Sequence, residues 1–212
     1  MRFFPSCMAA VSLLLVSSLC YSSPSFAQSG DQQATDRKVE DFAACFVRSP
    51  KHRALRKKVL SIPANSTKAI KNFEGVAMSD CMDKVDHPRA SAGDIVGAVY
   101  TSLYRRLERD DAPEITSRTN FDSEYDEDAL PLPQATVDLR VYGNCLASYA
   151  PDAAHRFVVA PIWSDSESVE VPSIGKALQA CGEPPKFARS HLALKGLIAE
   201  SLYKSALAQD DE

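Results

Sequence analysis

The chain has 212 residues, with 24 Lys and Arg against 28 Asp and Glu, a net charge of −4 at pH 7 and six cysteines. This mildly acidic balance excludes general electrostatic attraction to nucleic acid or to anionic membranes. With 45% hydrophobic and 25% charged residues, the chain can bury one sizeable core or two small ones.

Arg2 gives a short positive start, an apolar run follows from Met8 to Leu19, and Ser25-Phe26-Ala27 offers small residues at a cleavage site. The pattern predicts a signal peptide over 1–27, its apolar run too short to span a bilayer comfortably. Leu19 stands where a lipoprotein needs a small residue before Cys20. No later apolar run is long enough to cross a membrane, so the expected product is exported, to the periplasm or beyond the cell.

Residues 28–34 are small and polar and read as a mobile tail. Thr35 or Asp36 opens a helix with Val39, Phe42, Cys45 and Phe46 at helical spacing. Ser49-Pro50 ends it and starts a second helix, with Leu55, Val59 and Ile62 on one stripe before Pro63. Asn65-Ser66-Thr67 opens a third, carrying Ile70, Phe73, Ala77 and Cys81, and a fourth runs from about Ala92 to Leu107. From Glu108 to Pro133 the periodicity disappears among prolines and the acidic run Asp122 to Asp128, which reads as a solvated linker. Helical spacing resumes with Leu139, Tyr142 and Leu146, then with Ala153 to Ile162 after Pro151. Ser173 is expected to cap a helix through Ile174, Leu178 and Cys181, and Leu194, Leu197, Ile198 and Leu202 form the last stripe.

These elements occur twice. Cys45 and Cys81 are 36 residues apart, as are Cys145 and Cys181, and the pairs are offset by 100. Val39 with Leu139, Phe42 with Tyr142, Phe46 with Leu146 and Ile62 with Ile162 follow the same offset. At 99, Gly97, Ser102, Leu103 and Tyr104 meet Gly196, Ser201, Leu202 and Tyr203. The coincidences indicate a duplicated unit. The expected fold is all-α, two tandem homologous four-helix units packed around a pseudo-twofold axis. Unit 1 spans 35–108, an acidic linker 109–135, unit 2 136–208 and an acidic tail 209–212.

Four cysteines remain after residue 27, and in an exported chain they favour disulfides. Three pairings are possible, and the duplication selects Cys45–Cys81 with Cys145–Cys181. The rivals, a zinc site or a reactive thiol, lack the close C-x-x-C pairs that zinc favours.

The clearest charged feature is a basic cluster, Arg48, Lys51, His52, Arg53, Arg56, Lys57 and Lys58. It suits an acidic protein or a polyanion, and it equally suits a solvated helix face or an internal partner for the linker. Unit 2 keeps only Arg156 of these charges. Asp122, Glu124 and Asp126 alternate like the start of an EF-hand loop, but Glu127 replaces the turn glycine and Pro133 the bidentate glutamate. His52, His87, His155 and His191 show no metal spacing and read as surface or helix-end residues. Trp163 reads as core or rim. No serine-hydrolase elbow, phosphate loop or dinucleotide fingerprint occurs, and no cofactor is implied.

Asn144-Cys-Leu146, Ala180-Cys-Gly182 and Leu194-Lys-Gly-Leu-Ile-Ala-Glu-Ser-Leu-Tyr203 resemble a group of uncharacterised exported bacterial proteins, small, helical and cysteine-paired. The resemblance covers both units without the linker or tails, implies the periplasm, and transfers no functional residue. The expected role is a non-enzymatic binding or envelope-associated module. The alternative is a hydrolase or small-molecule binder with a site between the units, around Arg56, Arg156, Tyr104 and Tyr203, four residues that a helix-capping role would also explain.

Overall fold

A computed structural model describes residues 30–60, 81, 90–115, 134–185 and 190–210. The described residues form seven α-helices and no strand: α1 (Gly30–Arg48), α2 (Arg53–Leu60) behind a 3-10 turn at Pro50–His52, α3 (Ala92–Arg105), α4 (Gln134–Tyr149), α5 (Pro151–Val159), α6 (Asp165–Cys181) and α7 (His191–Asp210). The expected signal peptide, nearly all of the third helix and most of the linker lie outside these residues.

Several boundaries differ from the sequence expectation. Gly30–Ala34 is the first turn of α1 and not a mobile tail. Gln32 Nε2 donates to Asp36 Oδ1 (2.8 Å) and Thr35 Oγ1 to the Asp31 carbonyl (2.9 Å), so local polar side chains extend the helix upstream of its apolar stripe. Gln134 and Ala135, placed in the linker, likewise begin α4, where Gln134 Nε2 donates to Asp138 Oδ1 at 2.8 Å. Ser173 does not cap: the helix begins eight residues earlier, Ser164 Oγ accepting from Glu167 N at 3.2 Å, and it runs through the exposed Pro172. Gln209 and Asp210 of the expected acidic tail complete α7.

Both disulfides close in the expected pairing, Cys45–Cys81 joining α1 to Cys81 and Cys145–Cys181 joining α4 to the end of α6. Closing a 36-residue loop stabilises by about 3–4 kcal/mol in the chain-entropy picture.

Two apolar clusters share their central helices. The first gathers Val39, Phe42, Ala43, Phe46 and Val47 of α1 against Ile95, Ala98 and Val99 of α3, and takes in Ile162 and Leu192 from the second half of the chain. The second joins Tyr142 and Leu146 of α4, Phe157 and Val158 of α5, Ile174 and Ala177 of α6, and Leu194, Ile198 and Leu202 of α7. Tyr100 and Tyr104 reach into it from α3. Helix α7 is buried on nearly every side, which explains why it shows no polar face.

The closest approach is between α3 and α7. A Cβ on Gly196 would lie 2.0 Å from Gly97 Cα, and one on Gly97 would lie 2.8 Å from the Leu192 carbonyl. The two helix starts are also tied. Ser91 and Asp94 form a reciprocal capping box at α3. Ser190 Oγ accepts from Ala193 N at 3.0 Å and donates in a short bond to Asp94.

Candidate functional site

Among the described residues, polar groups converge beside the 160–164 turn and at an exposed basic corner, apart from the buried ion pairs of Glu200 with Arg140 (3.1 Å) and Lys204 (2.8 Å). The first is built around the turn at 160–164, between α5 and α6. Trp163 has φ 58°, a left-handed backbone that disfavours a side chain. Four contacts hold it there. Its backbone N donates to Glu167 Oε2 (2.7 Å), its indole Nε1 donates to Asp36 Oδ2 (3.0 Å), its ring stacks on His191 at 4.1 Å, and its carbonyl accepts from Arg37 (3.4 Å). The backbone on either side is held as firmly. Ile162 N donates to Glu40 Oε2 at 3.2 Å, Lys195 Nζ donates to the Ala160 carbonyl at 2.6 Å, and Arg105 donates to the carbonyls of Val158 (2.9 Å) and Ala160 while pairing with Glu40 at 2.9 Å.

At the centre Glu167 Oε1 lies 2.6 Å from Lys195 Nζ and Oε2 lies 3.1 Å from His191 Nε2. Glu167 and His191 are 2% exposed and Lys195 0%, so no substrate reaches them in this conformation. Taking three such groups out of water is costly unless each finds partners, and here each does. Burial raises the Glu167 carboxyl, but the His191 ring and the Lys195 ammonium outweigh it and leave its pKa below the ordinary 4.5. Lys195 is lowered by burial, which outweighs the attraction of Glu167. Asp36 is raised above 3.8, chiefly by burial. The group joins α1 and α3 of the first half to α6 and α7 of the second, and its chemistry is that of a clamp.

The two carboxylates predict opposite steps in stability. Asp36, with its folded pKa raised, binds its proton more tightly when folded, so stability should rise as pH falls towards 3.8. Glu167, with its folded pKa lowered, contributes stability above 4.5 that is lost as pH falls through the folded value. The expected profile of urea midpoint against pH, taken as the difference between wild type and D36N, therefore slopes upward on mild acidification. The difference between wild type and E167Q shrinks at lower pH. A flat difference for both variants would exclude the clamp as a titrating unit.

Pattern alone marks none of Asp36, Trp163, Glu167, His191 or Lys195 as functional. The sequence signal lies in comparing positions at offset 100 or 99, which hold Thr136, Pro63, Thr67, Ala92 and Val96, none of them charged or aromatic. Of the histidines expected at the surface or at helix ends, His191 does begin α7 but is buried, and His155 is buried inside α5. His155 Nδ1 meets the Tyr104 hydroxyl at 2.7 Å, and burial raises that hydroxyl's pKa to about 12.

The exposed place is the basic corner where α1 ends. Arg48, Lys51 and Arg53 are exposed and Arg56 half-buried; the side chains of Lys57 and Lys58 lie outside the described residues. Arg56 Nη1 donates to the carbonyls of Phe46 (3.0 Å) and Ser49 (2.8 Å), and Arg106 Nη1 to that of Val47 (2.9 Å). Cations suit a helix C-terminus, where unpaired carbonyls carry partial negative charge. Burial and the neighbouring guanidiniums of Arg106 and Arg53 push Arg56 below 12.5, against the opposing pull of Tyr203. Arg106, brought in from the end of α3, has no sequence signal, because only the fold sets it beside Arg56.

Of the four residues suggested for a site between the units, Arg156 pairs with Glu170 (2.7 Å) and Tyr104 with His155, whereas Arg56 and Tyr203 stand within each other's electrostatic reach. Among the described residues no set of His, Cys, Asp and Glu side chains is arranged to hold a metal ion, and no helix is long and apolar enough to cross a membrane. The chain matches no protein-family model, no curated protein and no solved structure.

Proposed function

We propose that this is an exported, non-enzymatic helical protein of the periplasm that binds an acidic protein through its basic corner. In this reading two homologous units, 35–108 and 136–208, each stapled by one disulfide, pack through α3 and α7 and serve as a rigid support. The supports are the amino-terminal pattern, the repeated cysteine spacing and the Gly97–Gly196 contact between equivalent positions. The observation that carries the binding reading is a division of labour among charges. The charges of the buried clamp pair with one another, and Arg48, Lys51 and Arg53 lie together at the surface of one corner. A scaffold needs its apolar stripes and does not need these cations.

The test is capture from an envelope extract on the immobilised chain, at low salt and then with a salt wash. An acidic protein recovered by wild type, released by salt and lost with R48E/K51E/R53E is the expected result. Recovery of nothing at low salt would overturn the reading.

A further inference from the structure

The two halves treat one arginine differently. Arg156 is closed by a bidentate carboxylate, Nε to Glu170 Oε1 at 2.7 Å and Nη2 to Oε2 at 3.2 Å. Its counterpart 100 positions earlier is Arg56, and the residue 100 positions before Glu170 is Ile70. The internal carboxylate is thus missing from the sequence of the first half, and positive charge is added in its place: Arg53 stands opposite Ala153, and Arg106 opposite Ser205 at offset 99.

The geometry concentrates these cations. Arg56 and Arg106 each commit one nitrogen to carbonyls at the end of α1, which holds them side by side. Among the described residues no carboxylate forms an ion pair with Arg53, Arg56 or Arg106, and the half-buried Tyr203 stands within electrostatic reach of Arg56. Like charges held together repel, and the arrangement is relieved when an anion joins it. A guanidinium fork matches the two oxygens of a carboxylate, as Arg156 and Glu170 demonstrate within the same chain. The net charge of −4 opposes acidic partners at long range, so affinity must come from such a short-range fit.

We propose that Arg53, Arg56 and Arg106, with the Tyr203 hydroxyl, form a receptor for a carboxylate side chain of an acidic protein partner, taking the place that Glu170 fills for Arg156. The proposal rests on the basic-corner reading and adds to it a geometry and a residue, Arg106, outside the α1–α2 segment.

The test is fluorescence anisotropy of a labelled hexaglutamate peptide with the full disulfide-bonded chain at low salt. Wild type should bind. R106Q should weaken binding about tenfold, the loss of one charge-assisted contact. R56K, which keeps the charge without the fork, should weaken it several-fold, and R156Q should leave it unchanged. Circular dichroism checks that the variants stay folded, and R106K replaces R106Q if that variant does not. Binding that is insensitive to the Arg106 variant and to R56K but lost in R48Q/K51Q would overturn the receptor and leave the basic corner standing. A wild type that binds no peptide would overturn both. Displacement of the peptide by an equal concentration of inorganic phosphate would overturn the carboxylate assignment.

Discussion

Glu167→Ala should cost about 3–5 kcal/mol of folding free energy, read as a lower urea midpoint at neutral pH. The substitution leaves the Lys195 ammonium, 0% exposed, with the Ala160 carbonyl as its remaining hydrogen-bond acceptor, beside Arg105. It also removes the acceptor for Trp163 N, and with it one of the contacts that hold a left-handed residue. Removing the charge at both ends should recover much of this loss, because a buried ion pair replaced by apolar groups of similar volume is often neutral. Lys195→Met added to Glu167→Leu is therefore expected to be more stable than Glu167→Leu alone. If the single substitution costs under about 1 kcal/mol, or the double is the worse of the two, the clamp does not hold the halves together.

Gly196→Ala should destabilise by about 3 kcal/mol or more, although alanine is the better helix former by about 1 kcal/mol. A Cβ there would stand 2.0 Å from Gly97 Cα, backbone against backbone, so α3 and α7 must move apart. Gly175→Ala is the control: it sits inside α6 with nothing within 4 Å of the new methyl, and it should stabilise by about 0.5–1 kcal/mol. The same replacement is thus expected to change sign with position. Thermal unfolding of the two variants under one condition decides it, and two shifts in the same direction would place the helix contact elsewhere.

The helices and the cysteine pairing are legible because they are local or repeated. Val39, Phe42 and Phe46 announce α1 by spacing alone, and the doubled 36-residue interval selects one pairing out of three. The start of α6 is misleading because Pro172-Ser173 carries helix-start chemistry, while the real cap at Ser164 follows a turn fixed from outside by Asp36 and Glu40. The clamp is illegible for the same reason. Lys195 sits among Leu192, Leu194 and Ile198, and its partner Glu167 is 28 residues away on another helix. Only the fold explains why a lysine belongs in that stripe. Arg106 beside Arg56 is hidden in the same way, since the contact depends on where α3 ends.

The burial of α7 bears on the order in which this protein is made. Helix α7, His191–Asp210, is the piece around which α3, α4, α5 and α6 close. A chain emerging amino terminus first can place α1 on α3 early, yet Gly97 and the apolar residues around it stay bare until α7 arrives. The residues that precede α7 must then wait with this apolar centre open until α7 docks. Substitutions inside α7 therefore act on the keystone.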